Sequence, residues 1–153
     1  MEEDKRKIKA EHLRKQMKLA EKASYILNFS YNSTDYLFPL SEDISDEDLV
    51  HLDAITSRFA RLADILIQKV FRAIDAIELT DEGTLIDRLN RAEQRGIIDS
   101  AEGWRNIREL RNQIAHEYVL EDLYSLFEDV VQFTPLVLRC VDKIKMYLRN
   151  ENF

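Results

Sequence analysis

Glycine and proline are scarce in this chain and cysteine is nearly absent: 3 Gly, 2 Pro and 1 Cys among 153 residues. No stretch clusters glycines as a phosphate-cradling loop requires, so a nucleotide site of that type is excluded. Cys140 alone permits neither an internal disulfide nor a multi-cysteine metal site, and nothing demands an oxidising compartment. Charges interrupt the apolar stretches every few residues, well short of the roughly 20 apolar residues that span a bilayer. Met1-Glu2-Glu3-Asp4-Lys5-Arg6-Lys7 lacks the apolar centre of a secretion signal. A cytoplasmic protein with no membrane association is expected. A basic surplus is missing too: the net charge of −7 argues against a broad, sequence-indifferent polyanion binder.

What the chain does have is helical spacing nearly throughout. At 153 residues and 45% apolar content it supports one ordinary core, so a single all-α domain over residues 1–153, an antiparallel bundle of four to five helices, is expected. Ile8, Leu13, Met17, Ala20, Ala23 and Leu27 recur at three- and four-residue steps and predict a helix from about Asp4 to Tyr31, ending in the loop Asn32 to Asp35. The apolar connection Tyr36-Leu37-Phe38-Pro39-Leu40 should pack over the core or sit at an interface. Ser45-Asp46-Glu47-Asp48 reads as a capping box, with Ser45 as N-cap and Asp48 reciprocating. It opens a long helix whose wide apolar face, from Leu52 to Ile77, suits the bundle centre. A turn at Thr80 to Thr84 precedes a short helix from Leu85 to about Arg95, closed by Gly96. Asp99 or Ser100 caps the next helix, expected to run through about Tyr118. Glu121 or Asp122 starts the last, through about Leu148, and Pro135 should kink it.

Charge is distributed unevenly. Acids concentrate between Glu42 and Asp53, whereas Arg88, Arg91, Arg95, Arg105, Arg108 and Arg111 recur in the segment before His116. These arginines form either a local cationic groove on an acidic body or the solvated faces of helices paired with Asp87, Glu93, Glu102 and Glu109.

Arg111-Asn112-Gln113-Ile114-Ala115-His116-Glu117-Tyr118 holds the residues best suited to chemistry. At about 100° per residue, Trp104, Ile107, Leu110, Ile114 and Tyr118 share one helical face, and Arg111 falls within it. A guanidinium keeps its charge, so there it must meet a bound anion, a backbone cluster or an acid such as Asp64 or Glu128. His116 lies about 140° round the same wheel. Either the helix distorts, or the two groups reach a common cleft from its sides, one shared with a second protomer. Metal-independent RNA cleavage needs a proton removed from the ribose 2′-hydroxyl, charge stabilised on the phosphorane, and a proton delivered to the leaving 5′-oxygen. His116 suits the proton transfers and Arg111 the phosphate. Asn112 can hydrogen-bond substrate or His116, with Arg105 and Arg108 as further substrate contacts. His12 and His51 have no matching constellation. Metal-ligand spacings such as His-x3-His or Cys-x2-Cys are missing, and no cofactor is implied.

The spacing Arg111-x4-His116-x-Tyr118, with a polar residue after the arginine, resembles the signature of the HEPN superfamily, in particular the HepT-like toxins. That resemblance implies a homodimer with the motifs of both chains facing one cleft, and a metal-independent endoribonuclease toxin of a type VII toxin–antitoxin pair. It implies a nucleotidyltransferase antitoxin as partner, with Tyr118 as the residue that the antitoxin nucleotidylates. Similar helical proteins serve instead as the non-catalytic substrate- or nucleotide-binding subunit of a split nucleotidyltransferase. The long charged N-terminal helix and the Tyr36 to Leu40 insertion depart from the commonest HepT-like pattern.

Overall fold

Every regular element is helical among the described residues of the computed structural model, which covers residues 1–116 and 120–153, with side chains 1–116 and 123–153. Helix α1 spans Glu2–Thr34 and α2 spans Asp46–Asp64; α3 (Phe71–Ile77), α4 (Leu85–Gln94), α5 (Ala101–Ala115) and α6 (Leu120–Asn150) follow. A π-helical segment, Ile65–Val70, joins α2 to α3 without a break, so the three form one rod. Within it the Phe71 N–H donates to the carbonyl of Leu66, five residues back. The expected bundle is therefore observed, built around this rod.

Its apolar face explains why. Leu52, Ile55, Phe59, Leu62, Leu66, Val70 and Ile74 are fully buried, and α1, α5 and α6 all pack against α2. The apolar stripe of α1 meets it through Leu13, Met17, Ala20 and Leu27, whereas Ile8 stays exposed. Cys140 is buried with Val137, Val141 and Ile144 on α6, as a small hydrophobe would be.

Several expected boundaries shift. Helix α1 continues through Thr34, because Thr34 Oγ1 turns back to donate to the Ser30 carbonyl at 2.9 Å, and Asp35–Leu37 then form a 3₁₀ turn. Ser45 does cap α2, accepting from the Asp48 N–H at 3.1 Å. The reciprocal half of the box is replaced: Asp48 Oδ1 instead accepts from the Tyr36 hydroxyl, which ties the 36–40 connection to the helix start. The full box occurs at Thr84 and Asp87, at the head of α4. Gly96, with φ of 76°, follows α4 in the left-handed conformation that favours glycine.

One buried charge organises the lower end of the bundle. Asp75 on α3 is 1% exposed and accepts from Arg91 of α4 at 2.9 Å and from Arg95, the residue that follows α4, at 2.5 Å. Arg95 also donates to Glu78, which accepts from the Tyr147 hydroxyl of α6. Arg91 and Arg95 are thus paired with α3 and not with the acids near them in sequence, because α4 lies across α3. Removing the shared acceptor takes the carboxylate partner from Arg91 and one of two from Arg95: Asp75→Ala should lower unfolding free energy by about 3 kcal/mol in urea titration, the usual scale for breaking a buried ion pair.

Candidate functional site: a cationic cleft between two helices

Helix α5 owes its position to one cap and one apolar stripe. Ser100, in extended conformation, accepts from the Gly103 N–H at 3.1 Å and starts the helix. Trp104, Ile107 and Leu110 are buried, and the Trp104 and Phe71 rings pack at 5.3 Å between centroids with a 55° tilt. This fixes the rotation of α5. Arg108, Arg111 and Asn112, one helical turn apart, consequently line an open cleft of about 780 Å³. Its opposite wall is the α2 and π face carrying Arg61, Asp64, Ile65, Gln68 and Lys69, with Leu19 from α1.

Arg111 is anchored at the cleft wall. Its Nε donates to Asp64 Oδ1 at 2.5 Å and its Nη2 to Asp64 Oδ2 at 2.8 Å, a two-point fork. The pair is not deeply buried, with 33% of the arginine side chain and 40% of the aspartate exposed. Hydrogen bonding to Asp64 raises the arginine pKa still further above its ordinary value, with burial opposing. Of five guanidinium N–H donors the fork uses two, so Nη1 and one Nη2 hydrogen stay available to an anion. Asp64 is the acid expected as an alternative to a bound anion, yet its geometry leaves the outer edge of the guanidinium open.

His116 is placed differently from the helical-wheel expectation. Helix α5 ends at Ala115, and His116 follows as its C-cap with φ −90° and ψ 156°, its N–H donating to the Gln113 carbonyl at 3.2 Å. The histidine is exposed and is not a lining residue of the Arg111 cleft. The expected helix through Tyr118 is thus cut short, and Tyr118 itself lies outside the described residues. Arg105 stands in a neighbouring cleft with Glu102 and Glu109, and Arg108 borders both. The structure therefore brings Arg111, Asn112 and Arg108 together and leaves His116 and Arg105 outside on the same chain. His12 and His51 are exposed. Among the described residues, no three His, Cys, Asp or Glu side chains converge as metal ligands.

Sequence reasoning missed Arg61, Gln68 and Lys69. Their spacing opposite Leu62, Leu66 and Val70 was the available signal, since a polar stripe on a central helix must face something other than core.

The chain matches no protein-family profile and no curated protein.

The exposure of the Arg111 fork sets its energetic weight. A pair a third or so open to water is worth about 0–1 kcal/mol, so Asp64→Ala should change thermal stability little, whereas Trp104→Ala should cost about 3–5 kcal/mol. Parallel unfolding curves for the two variants check this contrast.

Proposed function

We propose that the protein is a HepT-like endoribonuclease toxin whose active site is completed by pairing two copies and which is neutralised by a nucleotidyltransferase. The observation that carries the reading is the Arg111 fork. Asp64 holds one edge of the guanidinium and leaves the other facing a cleft that gathers Arg61, Lys69, Arg108 and Asn112 on a chain of net charge −7. Such a concentration of positive charge on an acidic protein suits a phosphate ligand. Placement of His116 just past the helix end, outside its own chain's cleft, suits a composite site in which paired copies bring two imidazoles and two guanidinium groups around one phosphodiester.

The chemistry then follows without a metal. One His116 takes the proton of the ribose 2′-hydroxyl as the 2′-oxygen attacks phosphorus. Arg111 stabilises the charge on the phosphorane through its outer edge. As the bond from phosphorus to the 5′-oxygen breaks, the second His116 protonates the leaving oxygen, giving a 2′,3′-cyclic phosphate and a 5′-hydroxyl. Asn112 orients the non-bridging oxygens, and Asp64 is a positioning residue acting through Arg111. Tyr118 is the residue on which the antitoxin would attach a nucleotide, whose added negative charge and bulk beside the arginine would close the site to RNA.

A second reading is favoured by one specific observation: the cleft contains four cations and an amide pair but no titratable histidine of the same chain. A nucleotide-binding subunit of a split nucleotidyltransferase would need no more than that.

Cleavage of RNA in EDTA separates the two. The nuclease reading predicts 2′,3′-cyclic phosphate ends, with His116→Ala and Arg111→Ala each losing about 10²-fold or more in rate. Absence of cleavage by the wild-type homodimer, with retained binding of a nucleoside triphosphate, favours the binding subunit. Cleavage that survives loss of both residues removes the nuclease reading.

A further inference from the structure

The Arg111 cleft is not an isolated depression. On its far side Gln68 and Lys69 also border a second cleft of about 650 Å³, where Arg72 and Arg88 stand with His12 and Gln16 of α1. Along the rod, Arg61, Gln68, Lys69 and Arg72 are exposed; Arg61 and Gln68 lie seven residues apart, Gln68 and Arg72 four, and Lys69 and Arg72 three, with Asp64 and Ile65 on the turn between Arg61 and Gln68. From α5 and α4, Arg108 and Arg88 face it. Among the described residues, none of Arg61, Lys69, Arg72, Arg88 and Arg108 is in an ion pair. The acids bordering the two clefts are Asp64, held by Arg111, Asp75, held by Arg91 and Arg95, and Asp81 at the rim. Burial, and the positive charges of Arg72, Arg91 and Arg108, depress the Arg88 pKa below the ordinary arginine range, while Asp75 opposes them. A cluster of cations that repel one another in the free protein is stabilised by any polyanion laid across it.

The rod presents these residues in a row. The π segment between Ile65 and Val70 contains the exposed positions 68 and 69, which border both clefts. Such segments recur at functional sites. From Arg61 to Arg72 the row runs roughly 16 Å at 1.5 Å per residue, longer than the spacing between neighbouring phosphates of an extended strand, so it can meet more than one of them.

We infer that the stripe Arg61, Lys69 and Arg72, flanked by Arg108 and Arg88, is a track for the backbone of single-stranded RNA, so that the ligand is a segment of several nucleotides and not a free nucleotide. The inference rests on the function proposed above for its choice of RNA; Arg61, Lys69 and Arg108 also line the Arg111 cleft, whereas Arg72 and Arg88 lie outside it. A duplex is disfavoured by the chemistry, because in an A-form helix the 2′-oxygen is held out of line with the leaving 5′-oxygen. Phosphate contacts of this kind position a strand without reading its bases.

The test is made on the His116→Ala chain, so that the strand stays intact and binding is read independently of cleavage. Fluorescence anisotropy with a labelled single-stranded RNA of about ten nucleotides is compared between that chain and the same chain carrying Arg72→Gln and Arg88→Gln. Two exposed cations elsewhere, Lys22→Gln and Arg149→Gln, serve as the control pair, and thermal melting confirms that each protein is folded. The track predicts about tenfold weaker binding for the Arg72 and Arg88 pair and a salt slope reduced by about 0.7 per cation removed, with little change for the control pair. It also predicts weaker binding of the same sequence as a duplex. An unchanged salt slope, an equal loss in the control pair, or a duplex bound as tightly as the single strand overturns the track. None of these outcomes depends on whether the wild-type protein cleaves RNA.

Discussion

A guanidinium does not give up its proton, so an arginine set at the edge of an apolar helical face is stabilised by an anion placed beside it. Here that anion is Asp64, contributed by the central rod at the position where Arg111 approaches it from α5. The fork does two things together. It makes an arginine on the edge of an apolar helical face tolerable, and it fixes the plane of the group so that the unused N–H donors point one way. The same bond therefore joins α2 to α5 and, in the reading favoured above, orients the group toward a phosphate. Its modest energetic weight at a half-exposed site means the orientation, more than the stability, distinguishes this acid from any other at the surface.

The second constraint is where α5 stops. Had the helix continued, His116 would have been held to the far side of the cylinder from Arg111. Ending at Ala115 turns the backbone extended at His116 and frees the imidazole from the helical wheel. In the reading favoured above, Arg111 in its cleft and His116 outside that cleft are the two halves of an acid–base site that a second copy joins.

Much of the fold was legible from residue spacing. The apolar repeat from Leu52 to Ile77 announced the central rod, Ser45 announced one helix start and the pair Asp99 and Ser100 another, and Gly96 announced the end of α4, because each signal is local. The wheel correctly placed Trp104, Ile107 and Leu110 in the core. It failed at His116, since a helix end without glycine or proline leaves little trace in sequence. The π segment was equally hidden: Ile65 to Val70 reads as ordinary helix, and only the five-residue hydrogen bond at Phe71 reveals it. Partners for charges were half legible. Asp64 was among the acids expected for Arg111, whereas the pairing of Arg91 and Arg95 with Asp75 depends on α4 crossing α3, a tertiary fact that no local charge pattern carries.

The claim on which the account turns is that Arg111 offers one edge of its guanidinium to Asp64 and the other to an RNA phosphate. Nitrogen-15 NMR of the arginine side chains, on the inactive His116→Ala protein with and without single-stranded RNA, observes both edges at once. The account predicts that the Arg111 Nε–H resonance keeps its position while the Nη resonances move and sharpen as RNA is added, and that Asp64→Asn shifts Nε–H in the free protein. Saturating RNA that leaves every Arg111 resonance where it was would contradict it.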